Sequence, residues 1–353
     1  MLTYWLMFLI PAVGAIMAGR ARSGRRLEDN FLWVMAFIFL SFLIGFRHEV
    51  GGDWSSYEGH YKDVSSSNFL QLFSAGDPGY YVTLWVVSLL DLGVHYSNLV
   101  FGALFSAGLV AFCKSQPRPW LALAISVPYM VIVLGMGYTR QGVAMGLSLL
   151  GFVALSNKNT KAFVAWVACA AMFHKSAVLL IPLGVLATPR SRFLTISGIV
   201  LTFPVLYLAL LADSVDDLVK NYIDAEYSSE GAAIRVAMNI VPACILLLRR
   251  KRLDWHPAER NLWLMLSILA FVSAGWLAIS PSSTAVDRVA LYLIPLQIYV
   301  FSRLPDLMMP IGSRQFWIVA PLAYYALVLF VWLSFASHAD FWVPYKFYPL
   351  VVV

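Results

Sequence analysis

Charge is scarce in this sequence. Asp, Glu, Lys and Arg make up 12% of its 353 residues, against about 25% in a soluble domain, and that shortage excludes a soluble globular protein. Cysteine is scarce too: Cys113, Cys169 and Cys244 all lie within or at the end of apolar runs. No pair has the spacing of a metal site, so neither a disulfide nor a metal is expected. Internal repeats and low-complexity stretches are absent. No basic residue precedes the first apolar run, Leu2 to Ala18, and several follow it. That run is therefore expected to remain as a span rather than to be cleaved as a signal peptide. The net charge of +6 does not point to nucleic acid, because the basic residues sit in short loops between apolar segments.

What the chain has instead is apolarity, 60% of its residues, in runs near the roughly 17–25 residues needed to cross a bilayer. The expectation is an all-α polytopic membrane protein, a single integral domain over 1–353. It has about twelve spans, near 2–18, 31–46, 97–113, 119–136, 140–156, 160–173, 176–187, 193–211, 233–248, 261–279, 288–303 and 315–336. The apolar segment 79–92 is short and is expected to be a re-entrant or surface helix. With that choice 17 of the 25 Lys and Arg fall in cytoplasmic loops, as the positive-inside rule requires; a full span there leaves only 10 inside. Both termini are then outside. Two outer loops are long: 47–96, with short helices, and 212–232, where Val215, Leu218, Val219, Tyr222 and Ile223 mark one apolar helix face.

Fourteen of the 19 acids and five of the six histidines also fall outside. Carboxylates barely influence insertion, so this asymmetry assigns the chemistry to the outer face. There, "GFRHEVGGDWSSYEGHY" brings Arg47, Asp53, Trp54 and Tyr57. "MGYTRQGVAMG" brings Arg140 and Gln141; "FHKSA" brings His174 and Lys175; "EGAAIRVAMN" brings Arg235; "TAVDRVALYLIP" brings Asp287, Arg288 and Tyr292; "FWVPYKFYP" brings Tyr345 and Lys346. A lone arginine at a helix mouth often only snorkels or anchors an end. Four of them on the face that insertion leaves poor in basic residues are suited to gripping phosphate. His174 alone reads as a buried, satisfied histidine, and beside Lys175 as a general base or phosphate donor. Asp53 follows Gly51-Gly52, reads as a turn residue or a cap for the helix through Tyr57, and shares one helical face with Tyr57. Asp77 in "GDPGYY" reads as a turn residue. Trp54, Tyr80, Tyr81, Trp342 and Tyr345 lie beyond the spans and can stack on sugars.

Taken in order, "FRHEVGGDWSSY", "DPGYY", "MGYTRQGVA", "FHKSAVLLIP", "EGAAIR", "DRVALYLIP" and "VPYKF" resemble the EpsG-like family of bacterial exopolysaccharide polymerases, which share a role with the Wzy polymerases. The resemblance implies a GT-C-like glycosyltransferase of the bacterial inner membrane, acting on the periplasmic side without cofactor or nucleotide sugar. It transfers a glycan from undecaprenyl pyrophosphate to a lipid-linked repeat unit, among membrane lipid and alongside chain-length and export machinery. In that frame Arg140, Arg235 and Arg288, with Lys175, hold the leaving diphosphate. Asp53, then His174, takes the proton of the attacking hydroxyl, and Arg47 and Tyr57 position a sugar. A flippase of lipid-linked oligosaccharide would carry its polar residues deep and reachable from both sides. An acyltransferase would need its histidine on the other face. A glycan ligase would use the same site.

Overall fold

A computed structural model describes residues 1–18, 26–73, 76–187, 231–280 and 283–351. Among them every regular element is helical, and the one β contact is an isolated antiparallel bridge between Arg47 and Phe347. The first half comprises α1 (Leu2–Ala18), α2 (Arg26–Gly45), α3 (Trp54–Ser65), α4 (Pro78–Leu89), α5 (Val94–Lys114), α6 (Pro119–Ser126), α7 (Thr139–Ser156), α8 (Thr160–Phe173) and α9 (Ile181–Ala187). The second comprises α10 (Ala232–Arg249), α11 (Pro257–Ile279), α12 (Ser283–Ala290), α13 (Ile294–Met308), α14 (Arg314–Phe335) and the single turn α15 (Tyr348–Val351). Local chemistry sets the boundaries. Proline, whose missing N–H has no helical partner to lose, stands in the first turn of α4, α6 and α11. The side chains of Asn159 and Ser313 accept from Ala162 N at 3.0 Å and Phe316 N at 3.1 Å, capping α8 and α14.

Four of the described helical segments are long and apolar enough to cross a membrane: Val94–Lys114, Ala232–Arg252, Pro257–Ile279 and Arg314–Phe335. Shorter apolar helices accompany them at Leu2–Ala18, Asn30–Gly45, Pro119–Gly135, Thr160–Phe173 and Lys175–Gly184. The last two flank His174, with the segment after it beginning as a 3-10 turn, Lys175–Leu180. The expected span 193–211 and the amphipathic helix of 212–232, up to residue 230, lie outside the described residues. The 47–96 segment folds as α3, a 3-10 turn (Phe69–Phe73) and α4, with α4 packed on α3, α5 and α8. One sequence expectation needs correction. The run 288–303 is not one helix: α12 stops at Ala290, Leu291–Leu293 forms a 3-10 turn, and α13 starts at Ile294. Pro295 has no N–H to offer a continuous helix, so the chain restarts there. The break leaves Asp287 and Arg288 on a short separate helix.

Packing is tightest where α5 crosses α7. A β-carbon added to Gly108 would lie 1.8 Å from Gly146 O, and one added to Gly146 would lie 2.6 Å from Phe105 Cα. Helices approach this closely only with no side chain between them. Gly108→Leu is expected to cost about 3 kcal/mol or more of stability, read as loss of monodisperse protein in detergent and a lower unfolding temperature. Gly59, whose added β-carbon meets nothing within 4 Å, is the control, and Gly59→Ala should leave stability unchanged or raise it by up to about 1 kcal/mol.

Ionic contacts close one end of the bundle. Arg118, 2% exposed, donates to both carboxylate oxygens of Asp306 at 2.7 and 2.9 Å and to Ser302 O at 3.1 Å. Arg303 lies over the Tyr299 ring at 3.6 Å and bonds Glu259 at 3.5 Å. At the other end, beyond the far termini of α6 and α13, the segment after α14 doubles back over the turn after α2. Tyr348 N donates to Phe46 O at 2.8 Å, His48 N to Lys346 O at 3.0 Å and Gly51 N to Phe341 O at 2.9 Å. Trp342 Nε1 donates to Ile132 O at 3.0 Å, and Tyr4 donates to Trp342 O at 2.6 Å. Gly51 has φ +102°, and a side chain there would meet Met136 O at 2.8 Å, so the approach of this turn to the end of the α6 segment demands glycine.

Candidate functional site

The site is organised by four consecutive residues, Tyr138–Thr139–Arg140–Gln141. From Val127 the α6 segment widens into a π-helix that ends at Gly135, and α7 begins at Thr139. Such widened turns recur at functional positions. The four residues tie down three distant parts of the chain. Thr139 accepts from Arg47 Nη2 at 2.7 Å, and its N–H donates to the Tyr57 hydroxyl at 2.9 Å. Arg140 pairs with Asp77 at 3.0 Å and lies 5.7 Å from the centre of the Tyr80 ring. Gln141 Nε2 donates to Arg288 O at 2.9 Å, and Arg288 Nη1 donates back to Gln141 Oε1 at 3.3 Å. The Arg288 guanidinium sits over the Tyr138 ring, 4.3 Å from its centre.

Beside this junction opens a cavity of about 930 Å³. Asp53, Tyr138, Arg235, Thr284 and Arg288 supply polar lining, with Gly52 and Gly137 beside them. Apolar residues line much of the rest: Tyr324, Leu327, Val328, Val331 and Phe335 of α14, joined by Ile234 and Met238 of α10. The α14 residues recur at helical spacing on one face and cover about 16 Å of its length at 1.5 Å per residue. The two arginines differ in their company. Arg235 donates to both oxygens of Asp287 at 2.6 and 2.7 Å, a bidentate pair that largely cancels its charge. Among the described residues no carboxylate pairs with Arg288. Nor does any described residue hydrogen-bond or ion-pair with the Asp53 side chain, although Asp53 occupies the N-cap position of α3.

The other sequence candidates support this cavity from outside its lining. Arg47 is fully buried and spends its donors on Ile44 O, Val50 O and Thr139. Tyr57 is buried on the Thr139 amide, Trp54 packs against His48 and His95, and Tyr345 donates to Leu43 O at 2.7 Å. Lys346 pairs with Glu49. Lys175 N donates to Asp77 Oδ1 at 3.3 Å. His174 Nδ1 is 2.6 Å from Ser176 Oγ, which is 3.1 Å from the Tyr292 hydroxyl. Burial, with Arg288 and Arg140 nearby, pushes the His174 imidazole down to about 3, so it is neutral and a poor proton acceptor. Burial raises the Asp77 carboxyl, and Arg140 and Lys175 oppose the rise. Sequence reasoning named Arg288 and Gln141 without connecting them and missed Tyr138 and Thr139. Their flanking position in "GYTRQG" is the only signal they carry. Asp77, read as a turn residue, is also the partner of Arg140.

Among the described residues no group of three or more His, Cys, Asp or Glu is arranged to hold a metal ion. No curated protein and no solved structure matches the chain. The EpsG family model matches residues 30–347, which carry the whole of the junction and the cavity lining. The chain belongs to the EpsG family.

Proposed function

We propose that this protein is a polysaccharide polymerase of the bacterial inner membrane that transfers a glycan from undecaprenyl pyrophosphate to a lipid-linked repeat unit at the periplasmic face. EpsG membership points to a polysaccharide polymerase role, and the long apolar helices belong to a membrane protein. The finer reading includes about twelve spans in a GT-C-like arrangement. One observation carries the assignment of substrate: Arg288, with no acidic partner among the described residues, lines the same cavity as an apolar face of α14. A diphosphate on a polyprenyl chain has the same two halves, a compact anion and a long hydrocarbon.

In the reaction an acceptor hydroxyl attacks C1 of the donor sugar, the C1–O bond to the diphosphate breaks, and undecaprenyl pyrophosphate departs with that electron pair. Arg288 stabilises the charge that builds on the leaving oxygen, a contribution that fixed donors make most effectively in a site poor in water. Arg235, held by Asp287, flanks it. Asp53, with its carboxylate unclaimed by other described groups, accepts the hydroxyl proton. Arg140 and Lys175 sit outside the cavity lining and act through the protein.

Purified protein supplied with its lipid-linked repeat, and no nucleotide sugar, is expected to give a ladder of products with release of undecaprenyl pyrophosphate, seen by gel and by mass spectrometry. Substrate left unlengthened by a folded protein would falsify the reading. Translocation across vesicles without lengthening would make the protein a transporter instead.

A further inference from the structure

Among the described residues four buried or half-buried arginines are matched to acids, Arg118 to Asp306, Arg140 to Asp77, Arg235 to Asp287 and Arg303 to Glu259, while buried Arg47 is consumed by Ile44 O, Val50 O and Thr139. Arg288 is held differently. Its guanidinium meets an amide oxygen and an aromatic face, and its own carbonyl accepts from the nitrogen of that same amide. Gln141 is 1% exposed, so its two ends have been chosen by these contacts and not by water. The orientation is fixed: turning the amide over would set N–H against N–H and oxygen against oxygen.

We infer that Gln141 is a positioning residue that holds Arg288 at the cavity while leaving its positive charge uncancelled. The inference rests on the diphosphate-binding reading above and deepens it. An acid at position 141 would hold the guanidinium more strongly, as acids hold those four ion-paired arginines. It would also neutralise the cation before any substrate arrived and repel the Arg288 carbonyl. A purely apolar residue would leave the charge but release the side chain to other rotamers. Glutamine alone among side chains of this length orients without neutralising. Tyr138 adds to the same end: its ring face attracts the guanidinium without removing its charge, three residues before Gln141 on the same stretch of chain. Among the described residues a site built this way is electrically incomplete until an anion enters, which favours a doubly charged diphosphate over neutral lipid or free sugar.

The experiment compares wild type, Gln141→Glu and Gln141→Met in detergent. Inorganic pyrophosphate binding is measured by titration calorimetry at two salt concentrations. The KM and kcat of ladder formation, and the unfolding temperature, are measured on the same samples. Gln141→Met keeps the charge of Arg288 and loses only its orientation; its pyrophosphate affinity is expected to fall a few-fold. Gln141→Glu is expected to fall at least about tenfold further and to lose salt dependence, since one ion pair inside a protein outweighs a tenfold change in binding. Equal loss in the two variants, with matching drops in unfolding temperature, would mean that Gln141 is only structural and overturn the inference. So would wild-type affinity or wild-type KM in Gln141→Glu, or a wild type that does not bind pyrophosphate. A wild type that binds pyrophosphate through Gln141 but builds no ladder sinks the polymerase reading and leaves the role of Gln141 standing. A wild-type ladder that Gln141→Glu reproduces does the reverse.

Discussion

Arg288→Ala is expected to slow ladder formation by ~10²–10³, the usual effect of removing one preorganised donor from a developing anion. The loss should appear mainly in kcat, because the guanidinium matters most when the C1–O bond is breaking. Its effect on stability should be small by comparison, since Arg288 forms no ion pair with any described residue and gives up one hydrogen bond and a ring contact. Arg235→Ala provides the contrast. It leaves Asp287, 4% exposed, without its bidentate partner, and removing one member of a buried pair costs about 3–5 kcal/mol. Arg235→Ala should therefore lose protein as well as rate. Arg288→Lys should recover part of the rate but not all, because an ammonium group has the charge without the planar fork. The measurement is single-turnover chain extension by purified variants at matched amounts of folded protein. Turnover by Arg288→Ala within about threefold of wild type would remove the arginine from the chemistry.

Asp53→Asn is expected to reduce chain extension by ~10²–10⁴, the range for loss of a general base. The substitution preserves shape, and the Asp53 side chain caps nothing: α3 starts with backbone bonds, Tyr57 N to Asp53 O at 3.1 Å among them. Unfolding temperature should hold while rate collapses. Asp53→Asn with full turnover would return the proton to another acceptor, and His174 is a weak candidate because burial lowers the basicity of its imidazole and it is bonded to Ser176.

Much of the helical layout can be read from the chain because apolar runs end at residues that stop helices. Leu2–Ala18, Val94–Lys114, Thr160–Phe173 and Pro257–Ile279 are bounded by charge, glycine or proline. The break between α12 and α13 was hidden because its residues, Leu291–Leu293, are as apolar as a continuing helix. Polar clustering at one end was legible, but its internal division was not. Nothing in the local pattern distinguishes Arg47, which is consumed by backbone carbonyls, from Arg288, which lines the cavity. The difference arises from partners far away in sequence. Gln141 and Arg288 are 147 residues apart, and one sequence offers no means of pairing them. The cavity face of α14 was hidden for a simpler reason. A helix side that lines an apolar pocket and one that faces lipid have the same composition, and only packing separates them.

Residues 341–348 are laid across residues 46–51, and Trp342 is part of the cavity lining. That clasp joins segments far apart in sequence, Lys346 to Glu49 across 297 positions, so the shape of the cavity rim depends on a long-range fastening. Loosening either strap should deform the rim as well as unsettle the bundle.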